Sequence, residues 1–216
     1  MQVIRSSKPP VSTFCEKEAR GRPDEFARLL PAHTQAGRST TGDLQALLQA
    51  SIDAYKEGVK TLADRRKQLC EEKTKMAEAV NQVNASSSQN VGACNLGGLV
   101  DTLAAAESQV SRYASDVDGA YSRFYQDYIQ GKNWKLGQAV EKAPFPFLVS
   151  SQKSAVLKEV KRNLVGADRY KSGDPGVYEK MNGAYRKERD DYSDYAMRLR
   201  ANRTCAKLLS DSCGRN

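Results

Sequence analysis

A heptad repeat of apolar residues in the first half of the chain constrains the fold more than any other feature of the sequence. Six such residues follow one another at seven-residue intervals: Leu48, Tyr55, Leu62, Leu69, Met76 and Val83. The positions between them are mostly filled by Ile52, Val59 and Val80. This is the 3.5-residue spacing of a helix that packs along another helix. Because no proline interrupts the repeat, the pattern predicts one helix over residues 43–86, roughly 65 Å long.

Two later stretches show the same period. Residues 99–130 carry a second seam: Leu103, Ala106, Val110, Tyr113, Val117, Ala120 and Phe124. Residues 175–209 follow Asp174, a suitable N-cap, with proline at the first helical position. Their seam is Tyr178, Met181, Tyr185, Tyr192, Tyr195 and Leu199. Each stretch therefore predicts a further long helix.

These patterns predict an all-α fold, an elongated three-helix bundle of coiled-coil-like character with a short extra helix over residues 151–165. Residues 1–42 contain four prolines and predict an irregular N-terminal arm with a short helix over residues 24–30. We expect residues 43–216 to form the bundle. The mean hydropathy of −0.66 suits a thin bundle, which has much surface for each buried residue.

The cysteines predict a pattern of disulfides once the helices are placed. If the first and third helices run parallel with Asp43 and Gly176 at the same level, Cys70 and Cys205 follow 27 and 29 residues later and lie at nearly the same height. Cys94 lies in the loop that Cys213 also reaches. We therefore expect Cys70–Cys205 and Cys94–Cys213 bonds and a free thiol at Cys15.

Two alternatives to this pairing stay open. All five thiols are free if the protein resides in a reducing cytosol. A Cys205–Cys213 bond would require the helix to unwind, because eight helical residues span ~12 Å. Disulfides would indicate an extracytoplasmic protein, whether secreted, periplasmic or at the cell surface, whose signal peptide has been removed. Reduced thiols would indicate the cytoplasm.

Catalytic and metal-binding patterns are absent from the sequence. His33, the single histidine, lies in the predicted arm with no nucleophile motif nearby. The sequence also lacks a phosphate-binding loop, a paired-cysteine motif and a metalloprotease motif. We expect no enzyme activity, no metal or other cofactor and no small-molecule substrate.

An aromatic group is predicted at one end of the bundle. It consists of Tyr125, Tyr128, Trp134, Phe145, Phe147 and Tyr178. One interpretation makes these residues ordinary core and makes the Pro-Phe-Pro-Phe segment a plug for the bundle end. The other makes them an exposed surface that binds a protein.

Charge is distributed unevenly along the chain. Residues 41–131 hold 9 Lys and Arg against 12 Asp and Glu, whereas residues 132–216 hold 18 against 10. The basic part packs against the acidic part in one interpretation, and in the other it binds an anionic partner. The candidate anion-binding residues are Arg186, Lys187, Arg189, Arg198 and Arg200. Acidic residues alternate with them, which dilutes a nucleic-acid-binding stripe.

We therefore expect a non-enzymatic helical-bundle interaction protein that presents a surface for protein recognition. A receptor, an adhesin or a component associated with secretion or pili would fit this expectation. The alternative is a cytosolic basic helical protein that binds anionic membrane or nucleic acid. The redox state of the cysteines and the salt dependence of polyanion binding distinguish the two.

Overall fold

The helices of the protein lie where the heptads predict them. A computed structural model of the 216-residue chain describes residues 8–16, 41–90, 96–133, 135, 138 and 177–213. Helix α1 spans Thr41–Asn90, α2 spans Gly97–Phe124 and α3 spans Val177–Cys213. A π-helix, Tyr125–Asn133, follows α2 directly. The described part is 91% helical and contains no strand, so the predicted all-α bundle is confirmed.

The predicted short elements fall mostly outside the described residues. This is true of both short helices, over residues 24–30 and 151–165. Of the predicted N-terminal arm, residues 8–13 have no regular secondary structure and residues 14–16 form a turn.

The heptad seams form the hydrophobic core. On α2 every seam residue is buried: Leu103, Ala106, Val110, Tyr113, Val117, Ala120 and Phe124. The buried seam residues of α1 are Leu62, Leu69, Met76, Val80 and Val83, and those of α3 are Met181, Tyr185, Tyr192, Tyr195 and Leu199. Val59 is half-buried, and the side chains of Leu48, Ile52, Tyr55 and Tyr178 lie outside the described part. Apolar periodicity therefore identified most of the described core, but Val59 is only half-buried and Ala54, outside the predicted seam, is buried.

The chain divides into two compact units. The first contains Met1–Lys17, Arg66–Gly119 and Ala184–Asn216, and the second contains Glu18–Arg65 and Ala120–Gly183. Among the described residues of the second unit, the buried apolar ones are Ala54, Leu62, Ala120, Phe124, Tyr128, Ile129 and Met181.

Contacts in the first unit fix the directions of α2 and α3. Asp118, near the end of its part of α2, pairs with Arg189 at 2.8 Å. Glu107, three turns earlier on α2, pairs with Arg200 at 2.7 Å. The residue with the higher number on α2, Asp118, thus pairs with the residue with the lower number on α3, Arg189. The two helices are therefore antiparallel.

Helices α1 and α3 run parallel in the same unit. Arg66 on α1 and Tyr185 on α3 both contact the ring of Phe14. Further along α1, Lys73 contacts Glu188, also further along α3. The parallel arrangement expected from the sequence is therefore observed in the first unit.

The cysteine pairing differs from the predicted one. Cys15 is bonded to Cys70, so the expectation of a free thiol at Cys15 is wrong. Of the four cysteines that the structure describes, Cys205 alone is free, and the predicted Cys70–Cys205 bond does not form. Cys213 is disulfide-bonded, and its predicted partner, Cys94, lies outside the described residues.

The Cys70–Cys205 prediction failed because of the register between the parallel helices. It assumed that residues at equal distances from the two helix starts lie level. Lys73, 30 residues after Asp43, instead contacts Glu188, only 12 residues after Gly176. Cys205 therefore lies roughly 25 Å beyond that level along α3. A disulfide needs Cα atoms within about 7 Å of each other.

Candidate recognition surface

A buried carboxylate lies at the centre of the first unit. Glu188 on α3 is 2% exposed, although charged residues surround it in the sequence. Its Oε1 accepts hydrogen bonds from the Lys73 ammonium and from the Tyr113 hydroxyl, both at 2.9 Å. Its Oε2 accepts one from the hydroxyl of Ser12. One carboxylate thus joins all three helices and the N-terminal segment.

The surroundings of Glu188 explain how a charge is accommodated there. Burying a carboxylate is unfavourable unless it is paired and hydrogen-bonded. Burial and the negative charge of Glu188 raise the pKa of Tyr113 far above its ordinary value, so this hydroxyl remains a donor. The Tyr113 ring meets the Tyr192 ring edge-on at 4.9 Å, and the Lys73 ammonium lies 5.2 Å from the centroid of Tyr192.

The heptad on α3 contained a signal for this burial. Successive seam positions on a helix of this kind are separated alternately by four and three residues. Met181 and Tyr185 are four apart, but Tyr185 and the next seam residue, Tyr192, are seven apart. Position 188 completes this series, so it faces the core whatever residue occupies it. A charged residue at a seam position is therefore the pattern that identifies a buried polar site in such a helix.

The N-terminal segment, residues 8–16, is fixed against α1 and α3. Phe14 is 4% exposed, and its ring meets the Tyr185 ring edge-on at 5.0 Å. The Arg66 guanidinium lies 5.2 Å from the centroid of the same ring, and its Nε donates a hydrogen bond to the Phe14 carbonyl. The neighbouring Cys15–Cys70 bond makes the attachment covalent.

A groove of about 550 Å³ lies between this segment and α3. The residues that line it are Pro10, Asp191, Asp194, Met197, Arg198 and Ala201. Met197 is 59% exposed, and Val11, next to Pro10, is 98% exposed. Sequence reasoning missed this groove, because the placement of Pro10 depends on the contacts of Ser12 and Phe14 rather than on any local pattern.

The predicted aromatic surface is described only in part. Tyr125 is 42% exposed, whereas Tyr128 is buried and its ring stacks on Phe124 at 5.2 Å. Both tyrosines belong to the π-helix, a conformation that often accompanies functional positions. Trp134, Phe145, Phe147 and the side chain of Tyr178 lie outside the described residues. Of these two tyrosines, Tyr125 is exposed and Tyr128 belongs to the core.

Buried tyrosines predict a loss of stability at alkaline pH. Burial raises the pKa of Tyr128 from 10.0 to about 12, although the Gly58 backbone acts in the opposite direction. A group whose pKa is higher in the folded state contributes stability below its unfolded pKa and loses it as pH rises through the folded value. We expect the free energy of unfolding, measured in urea, to fall between about pH 10 and pH 12. The fall should be shallower in Tyr128→Phe, and an identical pH profile for that variant would contradict the assignment.

Two of the predicted anion-binding residues are paired with acidic side chains on the surface of the first unit. Lys187 pairs with Asp191 at 2.6 Å, one helical turn away. Arg189 pairs with Asp118 on α2 at 2.8 Å. Exposed pairs of this kind contribute ~0–1 kcal/mol to stability, but they reduce the positive charge available to an anion.

Of the other three predicted anion-binding residues, Arg200 also pairs with a carboxylate, whereas no ion pair within the described part of the chain involves Arg186 or Arg198. Arg200 pairs at 2.7 Å with Glu107, whose carboxylate is buried, and Arg203 reaches the same carboxylate at 3.2 Å. Arg198 lies over the Tyr195 ring at 5.4 Å. Arg186 is exposed. The five residues therefore do not form a continuous cationic stripe.

Neither known proteins nor recognisable metal and membrane sites in the part that the structure describes indicate a function for this chain. The chain matches no protein-family model, no curated protein and no solved structure. Among the described residues, no group of three or more His, Cys, Asp or Glu could hold a metal ion. No described helix combines the length and hydrophobicity that a bilayer span requires. Function therefore has to be inferred from the geometry of this chain.

Proposed function

We propose that this protein is a non-enzymatic helical bundle of an oxidising compartment outside the cytoplasm, and that it binds another protein. The groove beside α3, lined in part by the exposed side chain of Met197, carries the proposal. Large apolar side chains exposed around a concave surface favour protein recognition. The disulfide of the N-terminal segment supports the same function, because it keeps one wall of the groove in place before any partner binds.

The cysteines support the proposed compartment. Three of the four described cysteines are disulfide-bonded, and structural disulfides persist mainly in secreted, periplasmic and cell-surface proteins. The seams of α1, α2 and α3 support coiled-coil-like packing. A receptor, an adhesin or a component of secretion or pilus assembly are the roles that such a bundle serves.

The alternative function is binding of anionic membrane or nucleic acid in the cytoplasm. The net charge of +8 favours it. The acidic partners of Lys187, Arg189 and Arg200 count against it, because they neutralise the basic residues that such a partner would contact.

Polyanion binding tests this alternative. We expect the full oxidised chain to show no salt-sensitive retention on heparin and no co-sedimentation with phosphatidylserine-containing vesicles. A protein that contacts six to ten phosphates would lose on the order of 10³–10⁵ in affinity between 50 and 200 mM salt. Such a dependence on both probes would replace the proposed function with the alternative.

Photo-crosslinking in the source cells tests protein binding itself. A photo-reactive residue at position 197 is expected to give a discrete adduct with another protein. Arg112, which is 86% exposed on α2, provides the matched control position and should give no such adduct. Equal adducts at both positions, or none at 197, would contradict recognition through the groove.

A further inference from the structure

We infer that the groove and the face of α3 that continues from it bind an amphipathic helix of a partner protein, with a lysine or arginine of that helix against Asp194. The inference rests on the proposed protein-binding function and specifies the chemistry of the partner. It concerns a surface formed wholly within the first unit.

The face of α3 that borders the groove carries three exposed apolar residues over three turns. Met197, Ala201 and Leu208 stand at i, i+4 and i+11, which places them within about 40° of one another around the helix. Met197 is 59% exposed and Leu208 is 62% exposed. A partner helix with apolar residues at the same spacing would cover ~16 Å of this face.

The residues between the two large apolar side chains are small. Ala201, Thr204 and Cys205 occupy this part of the face. The distance between packed helices depends on the side chains at their contact. Small residues flanked by Met197 and Leu208 therefore leave a shallow depression into which the apolar ridge of a partner helix fits.

The N-terminal end of this surface carries a negative charge, the carboxylate of Asp194. Asp194 is exposed and lies on the same face, one turn before Met197. Its neighbour Asp191 pairs with Lys187, whereas no ion pair within the described part of the chain involves Asp194. A lysine or arginine of the partner can therefore lay its aliphatic stem over Met197 and place its charge beside Asp194.

The positive charge of Arg198 limits where the basic residue of the partner can lie. Its guanidinium lies over the Tyr195 ring at 5.4 Å, and its side chain borders the groove. A partner cation placed beside Arg198 would be repelled, so the basic residue has to lie towards Asp194. An anionic lipid surface fits less well, because the Asp194 carboxylate would face the lipid charges.

Peptide display on the full oxidised chain tests this inference. The probe is a library of 18-residue helical peptides, selected on the wild-type chain alone, so that the groove variants stay independent tests. We expect enriched peptides to carry apolar residues at i, i+4 and i+11 and a lysine or arginine near one end. By fluorescence anisotropy, Met197→Glu and Asp194→Lys should each weaken binding at least tenfold. Arg112→Glu, on the exposed face of α2, should leave the affinity unchanged.

A charge exchange makes the test specific. Peptides in which the basic residue is changed to glutamate should bind the wild-type chain weakly and the Asp194→Lys variant well. Enriched peptides that bind both groove variants normally but lose affinity for Tyr125→Ala would overturn the groove and leave protein recognition standing. Failure to enrich any peptide would overturn the inference, and salt-sensitive binding to anionic vesicles in addition would overturn the proposed function as well.

Discussion

Replacing Glu188 by alanine is expected to lower the free energy of unfolding of the oxidised protein by about 3–5 kcal/mol. The substitution removes the acceptor shared by Lys73, Tyr113 and Ser12. Tyr113 is 3% exposed, so its hydroxyl cannot replace the lost bond fully with water. Lys73 is 20% exposed and can turn partly towards solvent, which places the loss near the lower end of this range. Urea unfolding followed by circular dichroism measures it.

Matched variants separate the charge from the hydrogen bonds. Glu188→Gln keeps one acceptor oxygen for the Tyr113 hydroxyl, and its amide N–H can donate to the Ser12 hydroxyl, so it should cost less than Glu188→Ala. The double variant Lys73→Met, Glu188→Leu should recover part of the loss, because neither charge is then left unpaired. Glu78→Ala, at an exposed position of α1, is the control and should stay within ~0.5 kcal/mol of wild type. A loss below ~1 kcal/mol for Glu188→Ala would show that this site does not organise the bundle.

Removing the Cys15–Cys70 bond is expected to cost about 4 kcal/mol. The bond closes a loop of 55 residues, and constraining a loop of that length in the unfolded chain accounts for this magnitude. The double variant Cys15→Ser, Cys70→Ser measures the effect in urea without reducing the bond at Cys213. It should also weaken groove-binding peptides, since Pro10 lies five residues from Cys15.

Cys205 supplies the control for that experiment. Cys205→Ser removes the one free thiol among the described cysteines and should leave stability nearly unchanged. Equal stability of the double variant and wild type would indicate that Phe14 and Ser12 hold the segment alone.

The three helices could be predicted from the sequence because apolar periodicity acts locally. A residue such as Val110 or Leu199 must face the core once its helix forms, whatever the helix packs against. The helix ends were less well determined, and α3 continues to Cys213, beyond the expected end at residue 209. The change from α-helix to π-helix at Tyr125 leaves no pattern that a heptad count detects.

The candidate site depended on information that periodicity does not contain. Register between parallel helices decides which cysteines meet, and counting from Asp43 and Gly176 gave the wrong offset. The burial of Glu188 could be read from its seam position, but the identity of its donors could not. The groove required the tertiary position of Pro10, which follows from the burial of Phe14 against Tyr185.

Peptide mapping of the protein isolated from its source without reduction tests the central claim most directly. That claim is that the N-terminal segment is fixed covalently to the bundle in an oxidising compartment. With free thiols blocked before digestion, a linked pair of peptides containing Cys15 and Cys70, together with alkylated Cys205, is the result we predict. Alkylation of both Cys15 and Cys70 in the native protein would contradict the fixed segment, the preformed groove and the extracytoplasmic assignment together.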